Sequence, residues 1–200
     1  MAVTHKNRKG MTYYLHEHKT RTGKPRYVFS TKKGDNLVES LPPGYEIYES
    51  PKDGRVFLRK ARPTEISEIE KKLVEKHLGK LPSPGNYIVD LEQDAIVVYE
   101  ADRDTDHIDS IIGGFMNTGE LKGRRDKGRG GEQMARSMST FSAKMRFVLS
   151  QKDLRWYRVE RFCYLGGIED WIDLEGPDSL GKLAEKYIKH IDKESFYDLY

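Results

Sequence analysis

The chain has 200 residues, about a third of them charged and a similar share apolar, with 35 Lys and Arg against 32 Asp and Glu. That balance fits a folded globular chain and argues against a disordered one. No stretch approaches the ~20 uninterrupted apolar residues of a membrane span and the first residues lack an apolar leader run, so a cytoplasmic protein with no membrane partner is expected. Cys163 is the single cysteine, which excludes an intrachain disulfide and a cysteine-based zinc site and reads as a small buried apolar residue on a strand.

After a polar, basic lead-in from His5 to Gly10, the β formers of Met11 to Lys19 predict a strand, Arg21-Thr22-Gly23-Lys24 a tight turn, and Arg26 to Ser30 a second strand. Pro42, Pro43 and Gly44 introduce a third strand, Tyr45 to Glu49. Ser50 to Gly54 turns it into a fourth, Arg55 to Lys60. Residues 1–62 therefore read as two successive hairpins, a small module bounded near Pro63. A helix is expected from Pro63-Thr64, with Ile66, Ile69, Leu73 and Val74 on its apolar stripe and Gly79 as its stop. Asn86 to Glu100 predicts a third hairpin about Gln93-Asp94, rich in β-branched residues.

Ile108, Ile111, Ile112, Phe115 and Met116 recur at helical spacing. Residues 119–132, GELKGRRDKGRGGE, hold five glycines and five basic residues and are expected to form a flexible exposed loop. A short helix with Met134, Met138 and Phe141, a strand Lys144 to Ser150 and a strand Arg155 to Leu165 follow. A helix capped by Pro177-Asp178 closes the chain, its stripe formed by Leu180, Leu183, Ala184, Tyr187, Ile188 and Ile191. The order predicts an α+β fold: a small N-terminal antiparallel β module (1–62), then an antiparallel-sheet domain with helices packed on one face (63–200).

From Met1 to Arg62 there are 14 Lys and Arg against 6 Asp and Glu, while the remaining 138 residues hold 21 against 26. A basic segment of this kind points to a polyanion, although contact with the acidic remainder of the chain would produce the same split. Within the module, Tyr13, Tyr14, Tyr27, Phe29, Tyr45, Tyr48 and Phe57 alternate with Lys19, Arg21, Lys24, Arg26, Lys32, Lys33, Arg55, Arg59 and Lys60. Cations release counterions from a phosphate backbone and aromatic rings stack on exposed bases, so these residues, with Arg124, Arg125, Lys127 and Arg129 of the glycine-rich loop, are the expected nucleic-acid contacts. Many of the aromatics must also be buried for so small a module to fold. The expected role is therefore a non-enzymatic nucleic-acid-binding or regulatory protein, DNA or RNA, that needs no cofactor. Its second domain would supply stability, dimerisation or partner recognition.

Two other roles compete. Asp102, Asp104, Asp106 and Asp109 with His107 offer hard ligands for a metal-dependent, nuclease-like hydrolase. The pattern departs from a calcium loop at His107 and Gly113, and aspartates also gather at helix N-termini for dipole and capping reasons. The acidic second part alternatively suits a protein-interaction or inhibitor module. His16 and His18 share one strand face without an evident third ligand, and Glu169, Asp170 and Asp173 lie near a strand end without an evident base or metal partner.

Overall fold

The computed structural model describes residues 1–102, 139–165, 168–191 and 193–199. Over these the chain is α+β, with antiparallel sheets of three, two and five strands and two helices. The three-stranded sheet runs β1 (Thr4–Lys6), β2 (Thr12–Lys19), β3 (Pro25–Ser30), with β2 in the centre. β1 was not expected from the polar lead-in. Asn7 makes it possible: its Oδ1 accepts the Met11 N–H at 2.9 Å, Gly10 turns at φ +75°, and the Asn7 amide donates to the Gly54 carbonyl at 2.6 Å. One buried polar side chain thus closes the first hairpin and ties it to the second.

The β2–β3 turn falls where Arg21 to Lys24 predicts it, closed by the Thr20 N–H to the Lys24 carbonyl at 2.8 Å. β4 (Tyr45–Glu49) and β5 (Val56–Lys60) form the two-stranded ribbon. Leu15, Phe29 and Val56 are its shared core with the first sheet, flanked by Tyr13, Tyr27, Ile47 and Leu58.

α1 covers Glu68–Leu78, later than the expected start at Pro63-Thr64, because Ser67 and Glu70 make a reciprocal capping box. The residues before it bend at Glu65 and Ile66 and are held to the next hairpin: the Glu65 N–H donates to the Gln93 carbonyl at 3.1 Å. Ile69, assigned to the apolar stripe, is instead 80% exposed, while Ile66, Val74 and Leu78 are buried.

The five-stranded sheet has the order β10-β9-β8-β7-β6, formed by β6 (Tyr87–Glu92), β7 (Ala95–Ala101), β8 (Phe141–Gln151), β9 (Trp156–Leu165) and β10 (Ile168–Ser179). Two elements here correct the sequence reading. Phe141 belongs to a strand, packed with Ala95, Val97 and Tyr99. β10 was not expected, because its carboxylates and Pro177 mask the alternation of Trp171 and Asp173 with Ile172 and Leu174; an edge strand tolerates proline. Its irregular register passes Gly176, where a Cβ would come within 2.7 Å of the Arg158 backbone, so only glycine fits.

α2 (Leu180–Tyr187) begins after Ser179 rather than at Pro177-Asp178, and continues as a 3-10 turn, Ile188–His190. All six residues of its expected stripe are buried. Both helices cover one face of the sheet, where Ile96, Val98, Phe147, Tyr157 and Val159 meet Val74, Leu78, Leu183 and Ala184. Glu70 fastens α1 to the β8–β9 turn: its carboxylate is paired with Arg155 and accepts the Tyr157 hydroxyl at 2.6 Å.

The opposite face meets the N-terminal ribbon. The Tyr48 hydroxyl donates to Asp90 at 2.9 Å, the Phe141 N–H to the Lys52 carbonyl at 2.8 Å, and the Arg8 guanidinium lies 5.2 Å from the Phe141 ring centroid. Part of the module's positive charge therefore joins the two regions together.

Candidate nucleic-acid interface

β3 ends the three-stranded sheet and β5 belongs to a separate ribbon, so the two strands run near each other without a shared ladder. Between them lies a groove of about 590 Å³, lined by Tyr13, Tyr27, Val28 and Phe57 together with Arg26 and Arg55. Its walls are the runs of residues 26–31 and 55–58 along the two strands, which do not pair with each other. Leu15 and Phe29 are cross-strand partners committed to the core, and the neighbouring Tyr13 and Tyr27 on the same face extend past that core to the groove. On β5, Val56 points inward and Phe57 is 46% exposed.

The structure divides the expected cations into two sets. Arg59 is engaged: its Nε donates to Glu46 at 2.7 Å and its guanidinium sits 3.7 Å from the Tyr48 ring centroid. Arg55 pairs with Asp53 at 3.1 Å but stays 73% exposed, and exposed pairs of this kind contribute only about 0–1 kcal/mol. Lys19, Arg21, Lys24, Arg26, Lys32, Lys33 and Lys60 are exposed and enter no ion pair among the described residues. Lys19, Arg21 and Lys24 cluster at the β2–β3 turn, and Arg26 lines the groove. Arg124, Arg125, Lys127 and Arg129 lie outside the described residues.

The aromatics divide likewise. Phe29 is core and Tyr48 is held by Asp90, whereas Tyr13, Tyr27 and Phe57 reach the groove. Burial, and then the Glu17 carboxylate, hold the Tyr27 phenol above its ordinary pKa, so the ring is neutral at physiological pH. Val28, 37% exposed, is a groove residue absent from the sequence reading; its outward position on a period-two strand was the available signal.

The other candidates are reduced. Asp102 accepts the hydroxyls of Thr140 and Ser142, each at 2.6 Å, while Asp104, Asp106, His107 and Asp109 lie outside the described residues. Among the described residues no three His, Cys, Asp or Glu side chains converge as metal ligands. His16 is buried with Nε2 3.0 Å from the Lys32 carbonyl, stacked on His18 at 6.1 Å between centroids. Asp173 pairs with Arg158 at 3.3 Å and Asp170 accepts the Trp171 N–H at 2.7 Å. His190 and Ser195, joined at 2.9 Å, link two successive 3-10 turns. Cys163 is buried.

No helix among the described residues is long and apolar enough to cross a membrane. Comparison of the chain with protein-family models, curated proteins and solved structures finds no match.

Proposed function

We propose that this chain is a nucleic-acid-binding protein that contacts phosphates through its N-terminal β module. The observation that carries the reading is the groove between β3 and β5, where Arg26 and Arg55 stand beside Tyr13, Tyr27 and Phe57, next to a turn bearing Lys19, Arg21 and Lys24. All five cations are exposed and, Arg55 apart, enter no ion pair among the described residues; such cations attract a polyanion, and the counterions they release make its binding salt-dependent.

With about five cations engaged, log affinity should fall against log salt with a slope between about −3.5 for a single strand and −4.5 for a duplex. Replacing Arg26 or Arg55 by Ala should reduce that slope by nearly one and weaken binding to every sequence alike. Arg59→Ala should change it little, because Arg59 already serves Glu46 and Tyr48. A salt titration by fluorescence anisotropy on the full chain and these variants tests the reading. Absence of binding at low salt, or binding indifferent to Arg21→Ala, Lys24→Ala and Arg26→Ala combined, would overturn it.

A further inference from the structure

The proposed nucleic-acid role leaves duplex and single strand open, and the walls of the groove bear on that choice. In a duplex the base faces are stacked on one another, and a protein meets only base edges and phosphates. In a single strand the faces are exposed and can stack on aromatic rings regardless of sequence. Here Tyr13, Tyr27 and Phe57 lie in a recess between two sheet edges, with Arg26 and Arg55 in its lining.

A ribbon that enters a major groove would instead carry its contacts on a projecting, solvent-facing surface. The turn cations could do so, but the rings in the recess could not reach base edges. Phe57 and Val28, 46% and 37% exposed, leave apolar surface in water that a base would cover.

Resting on the nucleic-acid reading, we infer that the β3–β5 groove takes a single-stranded nucleic acid, its bases against Tyr27 and Phe57 and its phosphates on Arg26 and Arg55. Both rings are uncharged when the phosphates arrive, since Tyr27 keeps its proton. The Arg55–Asp53 pair is exposed, so exchanging Asp53 for a phosphate oxygen costs little. Backbone contacts with stacking set no fixed sequence, and a preference for flexible pyrimidine runs is the expected outcome.

The test measures anisotropy of the full chain with labelled oligothymidylate and oligouridylate of about twelve nucleotides, and with a duplex of the same length at the same salt. Either single strand should bind at least ten-fold tighter than the duplex. Phe57→Ala should weaken single-strand binding about ten-fold while leaving the duplex unchanged, Phe57→Trp should retain it, and Arg55→Ala should weaken both forms. Circular dichroism confirms that each variant remains folded, as expected for so exposed a side chain. A duplex bound as tightly as the single strands, with Phe57→Ala without effect, overturns the single-strand inference and leaves the parent reading standing. If neither form binds at low salt, both fall.

Discussion

Along the five-stranded sheet the cations are matched to carboxylates: Lys144 to Glu100, Arg146 to Glu160, Arg155 to Glu70, Arg158 to Asp173 and Lys186 to Glu175. Arg161 donates instead to the carbonyls of Tyr197 and Leu199 and so holds the C-terminal segment. In the N-terminal module Lys19, Arg21, Lys24, Arg26, Lys32, Lys33 and Lys60 have no such partner among the described residues. Two regions of similar charge density thus use their charge differently. Charge spent inside the fold holds elements together, and charge left unmatched on a surface is available to a ligand.

Their cores differ in the same direction. Phe147 is fully buried between the sheet and its helices, in the large cluster that includes Ile96, Val98, Tyr157, Leu183 and Ala184. Phe147→Ala should cost about 3–5 kcal/mol, a large share of the ~5–15 kcal/mol that holds a domain folded. Leu15→Ala removes a smaller side chain from the Leu15, Phe29 and Val56 cluster and should cost about 2–4 kcal/mol. Urea denaturation followed by circular dichroism ranks the two. A larger loss from Leu15→Ala would break the comparison, since the module would then depend more on its core than the five-stranded region does.

Glu70 sharpens the contrast between spent and unmatched charge. Burial alone would raise its pKa, but the Arg155 guanidinium, the Tyr157 hydroxyl and the Ser67 N–H outweigh burial and hold it at about 2 against an ordinary 4.5. A carboxylate depressed on folding contributes stability that is fully present above its unfolded pKa and is lost as pH falls through the window from about 4.5 to about 2. Glu70→Gln should cost about 2 kcal/mol at neutral pH and flatten the acid limb of the stability profile in that window. Thermal unfolding across the pH range measures both effects. Among the described residues the module's unmatched cations carry no comparable acid-sensitive bond.

Where composition or one buried face marks a segment, it was readable. The β-branched run of β7, buried on both faces, the stripe from Leu180 to Ile191 and the Arg21–Lys24 turn all fall where strand propensity, helical periodicity and turn chemistry put them. β1 escaped because three residues are too few for a period to register, and its stability comes from Asn7, whose partner Gly54 is 47 residues away. β10 escaped because its acidic outer face, its bulges and Pro177 resemble a loop. The site was legible as composition but not as arrangement. Nothing local distinguishes Arg59, held by Glu46 and Tyr48, from Arg26, which lines the groove, and the approach of β3 to β5 around that groove is a tertiary fact.

Helix α1 offers the smallest expected effect and a direct check on how far periodicity alone can be trusted. Ile66 and Ile69 are both β-branched, three residues apart, and both belong to the stripe that spacing predicts, yet Ile66 is 4% exposed and Ile69 80% exposed. The difference follows from the cap. Because Ser67 starts the helix, Ile66 lies outside it, in the bend before the cap, and packs against the sheet core, while Ile69 in the first turn faces water. Ile66→Ala should cost about 2–4 kcal/mol through the cavity it leaves. Ile69→Ala removes little buried surface and replaces a β-branched residue with a better helix former, so stability should stay within about 0.5 kcal/mol of the parent. Equal losses at the two positions in urea denaturation would mean that Ile69 is covered in solution and that the predicted stripe, not the capping box, sets the register of α1.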